Sequence, residues 1–355
     1  MLMFKVLKNF GLLDTVDNVD KRGVGTVNRT YIVSEGINRY ALQLVDFNLF
    51  KNVRAVIENV DMVTRHLRMI KKDYDVYTLQ NNAGSEHVLV RDSYWRCYKL
   101  RDNEAIFQHF ENDIMYYEIA RILGRFHKLT ADFAVDKLNI TIPNLLNTYN
   151  YFNEYIRANE ECKSDKTLYT WNEFKFITDR ENIFSFIPNL LNSGKVPLRV
   201  VHNNVRKSNI IFDAKTYKSL YLIGMDALMP GSLLSDFGEM ARYAFSTTKE
   251  AEQDLDIVYF MKDKFKSGIK GYLSEVKDFI TEEELRYLVD SIKIKALIYG
   301  TRALSEYLLD GKDYITNFGY EKLDICKNQF KLVQDIETNY EELQKIVLDV
   351  INTLN

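Results

Sequence analysis

Alternating apolar and polar side chains dominate the first hundred residues, in short runs at 31–33, 40–45, 88–90 and 94–100. Turns containing Gly and Asn separate these runs, and the two-residue period predicts strands. Within 40–45 the alternation sets Leu42 and Leu44 on one face and Ala41, Gln43 and Val45 on the other. One stretch breaks the pattern. Residues 52–70 carry Val53, Val56, Ile57, Val60, Val63 and Leu67 on one helical stripe. Beyond residue 100 the helical period takes over and predicts helices near 113–129, 148–160, 173–187, 236–246, 251–267, 281–309 and 321–350. Short strands interrupt it at 198–201, paired with 210–212, and at 220–223. Residues 1–11 read as a first helix or a strap, and 314–320 as a loop between the two last helices. The predicted fold is α+β and two-lobed. Residues 1–100 form a small antiparallel-sheet lobe with one helix, residues 101–355 a large, mainly helical lobe, and the two make one structural unit.

Composition narrows the picture little. The chain of 355 residues is 46% hydrophobic and 27% charged, ordinary for a globular protein with room for substantial cores. A net charge of −3 gives no reason to expect nucleic acid or a membrane surface as partner. No apolar run reaches the roughly 18 residues that a bilayer span needs. Cys97, Cys162 and Cys326 are far apart, without metal-type spacing, which suits a reducing compartment and makes the cytoplasm the expected location.

Candidate chemistry begins with Arg22-Gly23-Val24-Gly25-Thr26-Val27-Asn28-Arg29 ahead of a strand. Paired glycines let backbone N–H groups approach phosphate oxygens, and they equally suit an ordinary hairpin. On this reading Gly23, Gly25 and Asn28 are nucleotide-binding candidates. Kinases then place a cation on a nearby strand to hold phosphates, oriented by a helix Glu. Residues 40–50 contain no Lys or Arg, so that cation is missing or comes from elsewhere, with Arg22 and Arg29 as candidates. Glu58 is left either without its partner or as a solvated helix residue.

The segment Val200-Val201-His202-Asn203-Asn204-Val205-Arg206-Lys207-Ser208-Asn209-Ile210 looks like the catalytic loop of a small-molecule kinase with Asn204 at the place of the catalytic Asp. Asn204 cannot accept a proton in the useful range, and removing a general base loses about 10²–10⁴ in rate. The Asn209 carbonyl can still ligate a hard cation. His202 reads as structural. The following Tyr221-Leu222-Ile223-Gly224-Met225-Asp226 has Gly224 where a metal-chelating Asp is expected. If the strand continues, Asp226 lies on the same side and reaches a displaced ion; otherwise it anchors the next turn. Asp236-Phe237-Gly238 spells a protein-kinase signature but opens a helix, so Asp236 is expected to cap that helix or brace a loop.

Taken together, Gly23 to Tyr31, Tyr40 to Asn59, Tyr94-Trp95-Arg96, Ile142-Pro143, Pro197 to Arg242 and Thr301 to Gly311 resemble the N-acetylhexosamine 1-kinases, sugar kinases of the aminoglycoside phosphotransferase and choline kinase superfamily. The resemblance implies a protein-kinase-like fold, ATP and Mg²⁺ as cofactors and an amino sugar as substrate. It also implies a basic residue at Leu44, Asp at Asn204, Asp at Gly224, a Phe-His pair at Leu145-Leu146 and an Arg near Asn150 or Tyr151. It suggests a sugar contact for Arg302, which a helix pair with Glu306 would explain equally. With these departures the chain reads as a pseudokinase that binds a nucleotide or amino-sugar ligand or acts through a protein partner or an active paralogue. The alternative is an active sugar kinase with a rearranged metal site at Asn209 and Asp226. Trp95 is expected in core packing rather than base stacking.

Overall fold

The computed structural model describes residues 2–12, 18–24, 28–46, 50, 52–70, 83–85, 87–90, 93–107, 109–309 and 319–354. Gly25 and most of the 314–320 tract lie outside these residues, and of Gly23 and Asn28 only the backbone is described.

The sheet expected in the first hundred residues is present. It contains β1 (Asn18–Val24), β2 (Asn28–Glu35), β3 (Asn38–Asp46), β4 (Val88–Val90) and β5 (Ser93–Leu100), in the order β1-β2-β3-β5-β4, all antiparallel. Alternation along these strands feeds two cores. Helix α1 (Leu2–Asn9) packs Val6, Leu7 and Phe10 on the back of the sheet against Val33, Leu42, Trp95 and Cys97. Trp95 therefore sits in the core as expected. Helix α2 (Val53–Ile70) buries Val60, Val63 and Leu67 on the front, with Ile32, Ala41 and Tyr98.

The C-terminal part is mainly helical. It runs through β6 (Glu104–Ala105), α3 (Ile114–Leu129), α4 (Tyr149–Glu161), α5 (Lys166–Tyr169), α6 (Trp171–Thr178), α7 (Glu181–Phe184) and α8 (Phe186–Asn192). Next come β7 (Arg199–Val201), β8 (Ile210–Asp213), β9 (Ser219–Leu222), β10 (Met229–Gly231) and α9 (Leu233–Ala244). The chain closes with α10 (Lys262–Val276), α11 (Glu282–Arg286), α12 (Leu288–Leu308), α13 (Gly319–Thr338) and α14 (Tyr340–Leu354).

Four expectations are corrected. Residues 173–187 form three short helices instead of one, because the chain turns at Asp179 and Ser185. The helix expected at 251–267 begins only at Lys262, after an isolated bridge between Ser246 and Phe260. Residues 281–309 break at Tyr287 into α11, capped by Thr281 and Glu284, and α12. Strand β7 pairs with β10, while β8 lies between β6 and β9. The expected pairing of 198–201 with 210–212 is absent because a loop of eight residues separates two different small sheets. Gly238 fixes the crossing of α9 over α12, since a Cβ there would lie 2.2 Å from the Ser291 carbonyl oxygen.

Candidate functional site

Two loops meet where the sheet abuts the helical part. One runs through 202–209 between β7 and β8, the other through 223–228 between β9 and β10. Ile210 pairs with Leu222, and the Ile223 N–H donates to the Asn209 carbonyl at 2.8 Å, so the loops lie side by side. Asp236 braces the first loop from α9. Its carboxylate accepts from the backbone N–H of His202 and of Asn203, both at 2.6 Å. His127 Nε2 faces the same carboxylate at 3.1 Å, and His127 Nδ1 meets the Tyr272 hydroxyl at 3.0 Å. Burial alone would raise the Asp236 carboxyl, but the contacts with His127 and His202 outweigh it and hold it below its usual range. The bracing expected of Asp236 is what the geometry gives. The α9 cap falls to Ser232, which accepts from the Leu234 N–H at 3.2 Å.

The sheet contributes a polar row. Thr30, Gln43 and Arg96 lie opposite one another on β2, β3 and β5, and all three are buried. Gln43 Nε2 donates to Thr30 Oγ1 and to Asn209 Oδ1, each at 3.0 Å. Asn209 Nδ2 in turn donates to the Asn204 carbonyl at 2.8 Å. Arg96 Nη1 stands 3.1 Å from Asp226 Oδ1, with both side chains buried, and Arg96 Nη2 donates to the Tyr94 hydroxyl at 2.5 Å. Burial opposes the Arg96 charge, but the Asp226 carboxylate more than offsets this and holds the guanidinium well above its usual value. The expected ligand positions Asn209 and Asp226 are thus both joined to side chains of the sheet.

Gly224 has φ +74 and ψ +39, a left-handed conformation that glycine adopts without strain. Strand β9 ends at Leu222, and residues 225–227 form a single 3₁₀ turn. The continued strand considered for 224–226 is therefore absent. Asp226 reaches the site from the turn and points to Arg96. Leu44 is corrected as well. It lies on the opposite face from Gln43, packed towards α1 and level with Arg29 across the ladder, so neither residue joins the polar row. Of the two readings of Glu58, the solvated helix residue is the one observed. Its side chain is 47% exposed and pairs with Arg54 at 2.9 Å. Its neighbour Asn59 ties α2 to the helical part by donating to Leu228 O at 2.7 Å and Asn139 O at 2.8 Å and accepting from Asn139 N at 2.8 Å. The alternation of 94–100 already set Arg96 on one face with Tyr94 and Tyr98, an isolated cation among aromatics, and that was the available signal.

Among the described residues no group of three or more His, Cys, Asp or Glu is placed to hold a metal ion. The donor set at the loops does not fit Mg²⁺ either. That ion wants an octahedron of hard oxygens at about 2.1 Å. Here the one carboxylate, Asp226, faces a guanidinium at 3.1 Å without a hydrogen bond to it, the Asn209 amide oxygen accepts from Gln43, Asn204 offers one neutral amide oxygen, and Gly224 has no side chain. A divalent ion within 4 Å of the guanidinium would meet a repulsion of about 8 kcal/mol, twice the figure for unit charges near a protein surface.

Residues 20–260 match the phosphotransferase enzyme family, also abbreviated APH. The chain belongs to that family. Among solved structures, this phosphotransferase-family chain is similar to a microcompartment-associated aminopropanol kinase at 14% identity, covering 96% of this chain and 98% of that one with a TM-score of 0.62. A spectinomycin phosphotransferase in complex with ADP and spectinomycin is 11% identical over 92% and 94%, with a TM-score of 0.59. The choline kinase of Cryptosporidium parvum is 15% identical over 94% and 90%, with a TM-score of 0.54. These likenesses show a shared kinase-like fold. No helix among the described residues is long and apolar enough to cross a membrane.

The remaining sequence candidates fall around the same loops. Asn203 adopts φ +57, and its Nδ2 donates to Ala227 O at 2.9 Å. Asn204 is buried, and neither side-chain atom has a hydrogen-bond partner among the described residues. A recess of only about 10 Å³ is lined partly by Asn203, Leu145, Leu146, Thr148 and Pro230. The helix pair considered for Arg302 is not formed. The Arg302 guanidinium lies 5.0 Å from the Tyr151 ring centre, and Glu306 pairs with Lys322.

His202 is wholly buried, edge-on to Phe126 at 5.6 Å, and among the described residues neither ring nitrogen has a hydrogen-bond partner. Burial pushes its pKa below 6.5 against the pull of Asp236 and Asp226. An imidazole whose folded value is depressed leaves the unfolded chain to bind the proton first. Stability is therefore expected to fall as pH drops below about 6.5, by up to about 1.4 kcal/mol per unit. Urea midpoints compared between pH 7.5 and 5.5 should show a shallower fall in His202→Gln than in the wild type.

Proposed function

We propose that this phosphotransferase-family chain is a pseudokinase, a non-catalytic member that acts as a ligand-binding or regulatory protein. The observation that carries this reading is the Arg96–Asp226 ion pair, with Gln43 on Asn209 beside it. Phosphoryl transfer needs a proton acceptor, metal-bound phosphates and cations aimed at the transferring group. Asn204 supplies no carboxylate, Gly224 supplies no ligand, and the remaining carboxylate is matched by a tethered guanidinium. Arg96 and Gln43 together give the loops from the sheet some of the neutralisation and crosslinking that a bound ion would otherwise provide.

The ligand that this body retains is, on the sequence resemblance, an amino sugar or a nucleotide bound without metal. ATP turnover is to be measured with Mg²⁺ and with Mn²⁺, using N-acetylglucosamine, N-acetylgalactosamine, choline and ethanolamine as acceptors. The expected rate is below about 10⁻² s⁻¹, at least a hundredfold under the roughly 1–100 s⁻¹ of working kinases. Turnover in that working range would overturn the reading. A thermal shift from ATP or an N-acetylhexosamine in the absence of divalent ions identifies the retained ligand, since anything binding the native state raises its melting temperature.

A further inference from the structure

We draw no further inference here: the strongest candidate, the buried seam between β3 and the two loops where Gln43 Oε1 and the side-chain polar atoms of Asn204 and Asp226 have no hydrogen-bond partner among the described residues, belongs to the site already described, and nothing in the structure shows what would fill it.

Discussion

Arg96→Ala is expected to destabilise the protein by about 3–5 kcal/mol, because it leaves Asp226 buried and charged without its partner. The same truncation in an Asp226→Asn background should cost far less. Urea unfolding of the four proteins gives the coupling energy directly. Simple additivity would show that the pair is not the interaction that joins sheet and loop. The variant carries a second expectation. With the guanidinium gone, Asp226 becomes open to a cation, so millimolar Mg²⁺ should raise the melting temperature of Arg96→Ala and leave that of the wild type unchanged. Equal responses would mean that Arg96 does not stand in for an ion.

Asp236→Ala is the second large effect. The carboxylate accepts two short hydrogen bonds from successive backbone N–H groups and faces His127. Hydrogen bonds to a charged group contribute about 1.5–3 kcal/mol each, so a loss of about 3–5 kcal/mol is expected. The two amides would be left buried without acceptors, so the loop itself should loosen. Hydrogen exchange of the His202 and Asn203 amides should rise in Asp236→Ala far more than in the sheet, with Asp236→Asn intermediate. Unchanged protection of those amides would remove the bracing role.

Much of this was legible along the chain. The period change near residue 100 placed the sheet and the helical part, and the resemblance to sugar kinases drew attention to Asn204 and Gly224. Asp236 was readable as a brace because it opened a helix instead of following a strand. Arg96 was visible as a cation in an aromatic strand, but nothing local said what it faces. The missing phosphate cation was sought at Leu44, Arg22 and Arg29. Cross-strand register puts Leu44 and Arg29 on the face away from the loops, and the Arg22 side chain lies outside the described residues. Glu58 stands on the exposed side of α2, whereas its neighbour Asn59 is the buried connector.

The sequence by itself determined which residue types stand at 204, 209, 224 and 226. It determined most of the strands and the longer helices as well, because their periods are local properties of the chain. Only the tertiary structure decided that Arg96 meets Asp226 and that Gln43 meets Asn209, contacts that span 130 and 166 positions. Which charges are compensated depends on three-dimensional neighbours, and no periodicity encodes that.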